Sequence, residues 1–243
     1  MSGVRRCGLG LPQKTTMAGH TAPLQSLAIH SGRSRTALPW DTAQRALDVV
    51  LVAITLPLWA PFVFLMAACK LVIDGRPVWF RHVRLGRDGV CFTLYKIRTT
   101  PADFEPGPYD WSDEEFPPRT RFGSWLRRFD LDELPQLWNV LKGEMSLVGP
   151  RPEMPAHAEA FSCRFPQYAR RLGVRPGLTG LAQVSGWRGD TSIHERLRSD
   201  LEYIGRRGPV TYFSILARTV SMEARRGFGN PSTDPSTPRR RDA

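Results

Sequence analysis

Val49 to Cys69 reads VVLVAITLPLWAPFVFLMAAC, and no charged side chain interrupts it across 21 positions. As a helix this run covers roughly 31 Å, enough for the hydrocarbon core of a bilayer. Its eleven Leu, Ile, Val and Phe residues favour insertion by roughly 5 kcal/mol. Pro57 and Pro61 stand in the middle, and an interior proline costs a helix roughly 3 kcal/mol in water. A straight span is therefore close to balanced, and a kinked or broken helix is favoured. The flanks add a constraint. Arg33, Arg35 and Arg45 precede the run, and Lys70, Arg76, Arg81, Arg84 and Arg87 follow it. Positive charge marks the cytoplasmic side of membrane segments, so both ends read as cytoplasmic. The favoured form is a re-entrant helix–break–helix hairpin dipping into one leaflet and broken at Pro61. A single span and a buried core helix are the alternatives.

The rest of the 243 residues is that of a folding chain, with 41% hydrophobic and 23% charged residues. Lys and Arg number 34 against 23 Asp and Glu, a net charge of +11. All but Lys14, Lys70, Lys96 and Lys142 are arginine, which suits phosphates and anionic lipid heads. A basic nucleic-acid-binding protein would share this charge, but the chain has no recognisable binding motif and that reading leaves the apolar run unexplained. The four cysteines lack a C-x-x-C pair, which excludes a zinc ribbon and a disulfide scaffold. The five histidines form no metal-binding pair.

The expected organisation is a basic arm over 1–39, a membrane element over 40–73, a folded domain over 74–226 and a tail over 227–243. The fold class is α+β and predominantly helical. Val78–Arg81 and Val90–Arg98 alternate apolar and polar residues around Gly86, Asp88 and Gly89, which predicts a small β-hairpin. Residues 101–118 hold five prolines and six acids and read as a surface loop. Phe122, Trp125, Leu126 and Phe129 share one face of an amphipathic helix, with Arg121, Arg127 and Arg128 on the other. That stripe suits core packing first and a membrane surface second. Leu134–Lys142 reads as a helix with Pro135 in its first turn, and Met145–Val148 as a short apolar run. Glu153–Leu172 reads as mostly helical with a break at Pro166. A glycine-rich loop with a short strand, over 173–189, and two closing helices near 192–204 and 209–225 complete the expectation.

Asp132 and Glu133 stand just before the Pro135 helix. Acids are enriched there merely because they complement the helix dipole. Here, however, Arg127 and Arg128 precede them and Arg151 follows a Gly-Pro turn. Acids among so many arginines are expected to keep depressed pKa values and stay ionised. An ionised Asp can attack phosphorus, and an ionised Glu can hold Mg²⁺. Arg151, stiffened between two prolines, suits bidentate phosphate binding or an ordinary surface ion pair. In Arg175-Pro176-Gly177 and Thr179-Gly180 the glycines either let backbone N–H groups approach a ligand or simply make turns. Neither a G-x-G-x-x-G after a strand nor a P-loop is present.

Four segments carry a resemblance. They are DELPQLWNVLKGEMSLVGPRPE at 132–153, RPGLTGLAQVSGWRGD at 175–190, YKIRT at 95–99 and QRALD at 44–48. Together, in this order, they resemble the bacterial sugar transferases, monotopic polyprenyl-phosphate phosphoglycosyl transferases, over roughly residues 42–220. The resemblance implies transfer of a sugar 1-phosphate from a UDP-sugar to undecaprenyl phosphate with release of UMP, initiating polysaccharide synthesis. It implies that Asp132 attacks the sugar-bearing phosphate to form a phosphosugar–aspartyl intermediate, and that Glu133 holds Mg²⁺. Lys96, Arg98, Arg127, Arg128, Arg151, Arg175 and Gln183 would bind phosphates or the nucleotide. The family's membrane element is a re-entrant helix broken at a proline, for which Pro61 stands here. The implied setting is the bacterial inner membrane with the catalytic domain in the cytoplasm, with the bilayer as partner and no nucleic acid; a homodimer is left open. A catalytically silent scaffold of the same fold would carry the same motifs. Three positions depart from the family pattern: Thr100 replaces a Met, Asp130 a Ser or Thr, and the late helix lacks an Asp near Tyr212. Arg188–Ile193 resembles members that use UDP-glucose or UDP-galactose.

Overall fold

A computed structural model describes residues 39–104, 118–188 and 191–228. The expected basic arm, except Pro39, most of the acidic loop, and the tail beyond Phe228 lie outside the described residues.

The apolar run forms the middle of α1 (Pro39–Asp74). Pro39 and Asp41 suit its first turn, and Gly75, at φ +68°, ends it in the left-handed conformation. The two half-helices expected around Pro61 are a single element here, because α1 passes through Pro57 and Pro61 without interruption. Each proline removes one backbone donor. Side chains reinforce the turn before them: Thr55 donates to the carbonyls of Leu51 and Val52, and Trp59 Nε1 donates to that of Val52.

Asp41, Gln44, Asp48, Val52, Val63, Met66 and Lys70 are the buried residues of α1. They share one face but fall in two groups, 41–52 and 63–70, and residues 53–58 between them are exposed, so the helix rests on the remainder of the protein toward its two ends and not at its middle. Val50, Ile54, Leu58, Phe64, Leu65 and Val72 point outward. Only 17% of the most apolar window is buried, which distinguishes α1 from a core helix. Both ends are fastened to the same body. Asp41 pairs with Arg207 and Arg87, and Gln44 Nε2 donates to Ser146 Oγ and the Val148 carbonyl. At the far end Lys70 and Thr120 share Asp74, and Arg98 Nη2 donates to the carbonyls of Asp74 and Gly75.

The predicted hairpin is β1 (Trp79–Leu85) paired antiparallel with β2 (Cys91–Ile97). After it comes α2 (Arg121–Arg128), capped by Thr120, whose hydroxyl accepts from the Gly123 N–H. Leu126 is fully buried against Met66 and Ile97, whereas Trp125 is 44% exposed. Phe122 packs against the same cluster, so the stripe serves core packing at two positions and leaves the Trp125 ring at the surface. A Cβ on Gly123 would sit 2.1 Å from the Thr99 carbonyl oxygen, so α2 is seated directly on the end of β2.

Asp130, left-handed at φ 49°, starts a 3-10 turn over Leu131–Glu133. Pro135 then caps α3 (Gln136–Lys142). Asn139 of α3 behaves as a short strand toward β2: it donates to the Thr93 carbonyl and accepts from the Tyr95 N–H. The sequence reading did not include a second sheet, formed by β3 (Ser146–Val148) parallel to β4 (Gly177–Thr179). Around it lie α4 (Pro155–Arg164), a 3-10 turn over Tyr168–Gly173, α5 (Leu181–Val184), α6 (Ile193–Gly205) and α7 (Pro209–Phe228). The break predicted at Pro166 falls between α4 and that turn.

Candidate active site

The Asn139 junction holds α3 beside β2 and so brings the turn before α3 under Lys96. Glu133 is gripped from two sides. Its Oε1 accepts from Lys96 Nζ at 2.5 Å and Arg151 Nη2 at 2.6 Å, and its Oε2 accepts from Arg151 Nη1 at 3.2 Å. Arg151 thus forms the bidentate fork that its stiffened backbone suggested, with a protein carboxylate in the place of a phosphate. Its side chain remains 40% exposed. Burial works to raise the Glu133 pKa, but Arg151 and Lys96 outweigh it and hold the carboxyl well below the usual range.

Asp132 is its opposite. It is 2% exposed, its Oδ1 has no hydrogen-bond partner, and the nearest cation on its Oδ2 is Arg127 Nε at 4.0 Å. Burial pushes its carboxyl up to about 6, and the Lys96 charge offsets this only in part. This corrects the expectation that both acids are depressed. The cations satisfy Glu133 and leave Asp132 dry. At pH 7 a carboxyl with that pKa is still mostly ionised, and it is poorly solvated, which favours attack on an electrophile.

The other predicted residues are distributed unevenly. Arg127 sits at the edge of the pair, and Arg128 lies over the Phe129 ring. Arg98, 4% exposed, caps the end of α1 and is not brought to the carboxylates. Arg175 faces the opposite end of α1, in a small polar pocket with Asp41, Asp48, Arg87 and Arg207. Gln183 is buried and donates to the Leu178 carbonyl, bracing its own loop. The glycines of that loop serve chain-to-chain approach. Gly149 N–H donates to the Thr179 carbonyl and Gly177 N–H to that of Pro150. A Cβ on Gly177 would lie 2.0 Å from the Gly149 nitrogen, and one on Gly180 would lie 2.2 Å from the Gly149 oxygen.

Residues not singled out from sequence complete the frame. Arg171 Nη2 donates to the Arg151 carbonyl, while its Nε donates to Asp200 Oδ2 at 2.7 Å. Glu153 pairs with Arg196 at 3.0 Å, with Arg84 at 3.7 Å and with His157 at 3.5 Å. Arg188 bridges Asp130 at 2.7 Å and Glu223 at 3.4 Å, tying the glycine-rich segment to the turn that carries Asp132. The alternation of β1 places Arg84 on the same face as Phe80, and Arg188 lies in a quoted motif. Nothing in the local sequence marks Arg171 as the partner of Asp200.

Asp132 Oδ1 is an unpartnered acidic oxygen, whereas both Glu133 oxygens accept from Lys96 and Arg151. Among the described residues no three His, Cys, Asp or Glu side chains gather as a metal site. Mg²⁺ is commonly held by one or two carboxylates together with substrate phosphates, and Glu133 is the residue expected to hold it.

The site is thus a buried carboxylate with an unpartnered oxygen beside a second carboxylate clamped by cations. Comparison with known proteins gives the chain its family. Residues 40–226 match the family described as bacterial sugar transferase, and the chain belongs to that family of phosphoglycosyl transferases. It is 43% identical over 202 residues to a UDP-glucose:undecaprenyl-phosphate glucose-1-phosphate transferase of Caulobacter vibrioides, covering 81% of this chain and 75% of that one. It is 38% identical to the protein of the same name in Escherichia coli, over 77% of this chain and 40% of the longer relative. It is 37% identical to the exopolysaccharide production protein PSS of Rhizobium leguminosarum, over 76% of this chain and 97% of the relative.

Proposed function

We propose that the protein transfers glucose 1-phosphate from UDP-glucose to undecaprenyl phosphate at the inner face of the bacterial cytoplasmic membrane, starting a polysaccharide. The single observation that carries this reading is the unpartnered, buried Asp132 carboxylate beside the cation-clamped Glu133. The names of the relatives supply the donor and acceptor.

In the first step an Asp132 oxygen attacks the sugar-bearing phosphorus of the donor. A bond forms between that oxygen and phosphorus, and the bond from phosphorus to the bridging oxygen breaks. The electron pair leaves on UMP. In the second step an oxygen of undecaprenyl phosphate attacks the same phosphorus, and the acyl-phosphate bond returns its electrons to Asp132. Lys96 and Arg151 keep Glu133 ionised, and the exposed guanidinium groups of Arg151 and of Arg127, beside Asp132, are offered to the diphosphate. Bound Mg²⁺ would neutralise charge on the diphosphate.

The membrane disposition is read from α1. Its first and last turns are both bonded to one body, which supports both turns lying on the same side of a bilayer. The apolar outer face supports a helix lying in one leaflet, with the polar body at the cytoplasmic surface. Continuity through Pro57 and Pro61 is compatible with this.

The test is to incubate the purified full chain with Mg²⁺, UDP-glucose and undecaprenyl phosphate, and to measure UMP. With donor alone, mass spectrometry should find one phosphohexose on Asp132. Release of UMP from no UDP-sugar, or an adduct on another residue, overturns the reading. Preference for an N-acetylhexosamine donor overturns only the choice of glucose.

A further inference from the structure

An open groove of about 490 Å³ lies where α1 hands over to β1, and the mechanism makes no use of it. Leu71, Pro77, Val78 and Trp79 line it together with Arg76 and Arg81. Among the described residues, none of those lining it is an acid. Asp74, the acid nearest in sequence, is occupied by Lys70 and Thr120. The groove continues the exposed apolar strip of α1, where Val72 is 85% and Ile73 60% exposed. It therefore falls where a helix lying in one leaflet leaves hydrocarbon for the headgroup layer. Trp79, 37% exposed, has the amphipathic ring favoured at that depth.

The groove is not a vestibule of the carboxylate pair. Register places Arg81 opposite Tyr95 and Phe80 opposite Lys96. Neighbouring residues of a strand point to opposite faces, so Lys96, which grips Glu133, projects from the other side of the hairpin. The Arg81 guanidinium lies 6.0 Å from the Tyr95 ring centre, a contact that leaves its charge unneutralised.

An apolar trough with two guanidinium groups, and with no competing acid among the described residues that line it, complements a phosphate head that bears hydrocarbon tails. We infer that this groove is a binding site for an anionic phospholipid of the bilayer, holding its phosphate on Arg76 and Arg81 and its first tail carbons along Leu71 and Trp79. The inference rests on the membrane reading of α1 and is separate from the transfer reaction. Its function is to fix the height of the hairpin, and with it Lys96, against the leaflet.

The experiment titrates the detergent-solubilised full chain with phosphatidylglycerol or phosphatidylcholine and counts bound lipid by native mass spectrometry. Phosphatidylglycerol should bind in preference. Arg76→Gln with Arg81→Gln should weaken it about 30-fold, or about fivefold per arginine. The double lysine variant should retain most of the binding, and both variants should release UMP at the wild-type rate in detergent. Equal binding of the two lipids, or no loss in the glutamine variant, overturns the inference. Displacement of phosphatidylglycerol by undecaprenyl phosphate, accompanied by loss of turnover in the glutamine variant, also overturns it by making the groove the acceptor's place. Flotation with vesicles separates the two readings. A chain that floats equally with neutral and anionic vesicles keeps its membrane element and loses this site. A chain that floats with neither loses both.

Discussion

Two clusters of acids and arginines lie back to back in this protein, and they have the same electrostatic outline. In the turn before α3, cations hold Glu133 down while burial pushes Asp132 up. Between α4 and α6, burial works to raise Glu153, but His157, Arg196, Arg171 and Arg84 hold it down at about 2. There too burial pushes a second acid, Asp200, up, against the pull of Arg171. The clusters differ in satisfaction and in access. Asp200 Oδ2 accepts from Arg171 at 2.7 Å, and the side chains of Arg171 and Arg196 are 5% and 10% exposed. Asp132 keeps a bare oxygen, and Arg151 and Arg127 beside it are 40% and 39% exposed. Perturbed acids alone therefore do not mark a reactive site. An unsatisfied oxygen with cations that substrate can reach distinguishes one cluster from the other.

The contrast is broken most directly at Asp132. Asp132→Asn should lower turnover by at least about 10³-fold, since an amide does not form the acyl phosphate, and should leave no adduct in the mass spectrum. Its melting temperature should stay level or rise by a few degrees, because a buried charge has been removed. A variant that turns over normally would put Asp132 in the same class as Asp200. Glu133→Gln should cost about 10²-fold in kcat/KM, with a raised Mg²⁺ requirement, as Lys96 and Arg151 lose the anion that orients them. Asp200→Asn should do the reverse. Taking the Asp200 charge from the buried Arg171 costs about 3–5 kcal/mol, or roughly 10 °C in melting temperature, with kcat of the folded protein near wild type. Strong loss of kcat without loss of stability would merge the two clusters.

Acid titration sharpens the same contrast. In the proposed mechanism Asp132 attacks in its ionised form, so kcat/KM should fall about tenfold per unit as pH drops below about 6. The groups facing Asp132 are Lys96, Glu133, Arg127 and Asp130. Stability has the opposite sign at this residue. Its raised pKa favours the folded state most fully below the ordinary carboxylate value, and that contribution is lost as pH rises through about 6. Glu153 contributes stability above its ordinary value and loses it as pH falls through about 2. The smallest effect is expected at Asp130. Asp130→Asn removes a like charge near Asp132, and the acidic limb should move slightly to lower pH, with a small loss of order in the Arg188 segment measured by hydrogen exchange.

Much of this was readable from sequence. The hairpin, α2, α3 and the closing helices follow from alternation, helical spacing and punctuation by proline and glycine. The Asp132–Glu133 pair and Arg151 could be named because they are adjacent in sequence or stiffened by neighbouring prolines. What the sequence left open depends on distance in space. Arg98 has the same motif credentials as Lys96, yet it caps α1 because β2 ends there. Arg175 sits in a motif but faces Asp41 and Asp48. The β3–β4 pair joins segments about thirty residues apart, with too few residues in each to show a period. The opposite fates of the two carboxyls depend on which one Lys96 and Arg151 can reach, and adjacency cannot show that.

The contact between Gly149 and the Gly177–Gly180 segment has a consequence for protein engineering. Two loops whose main chains touch with no room for a methyl group move as a single casting. Grafting either one alone from a cousin with a different sugar preference would leave it seated on an ill-matched counterpart. Specificity swaps must therefore carry both segments together.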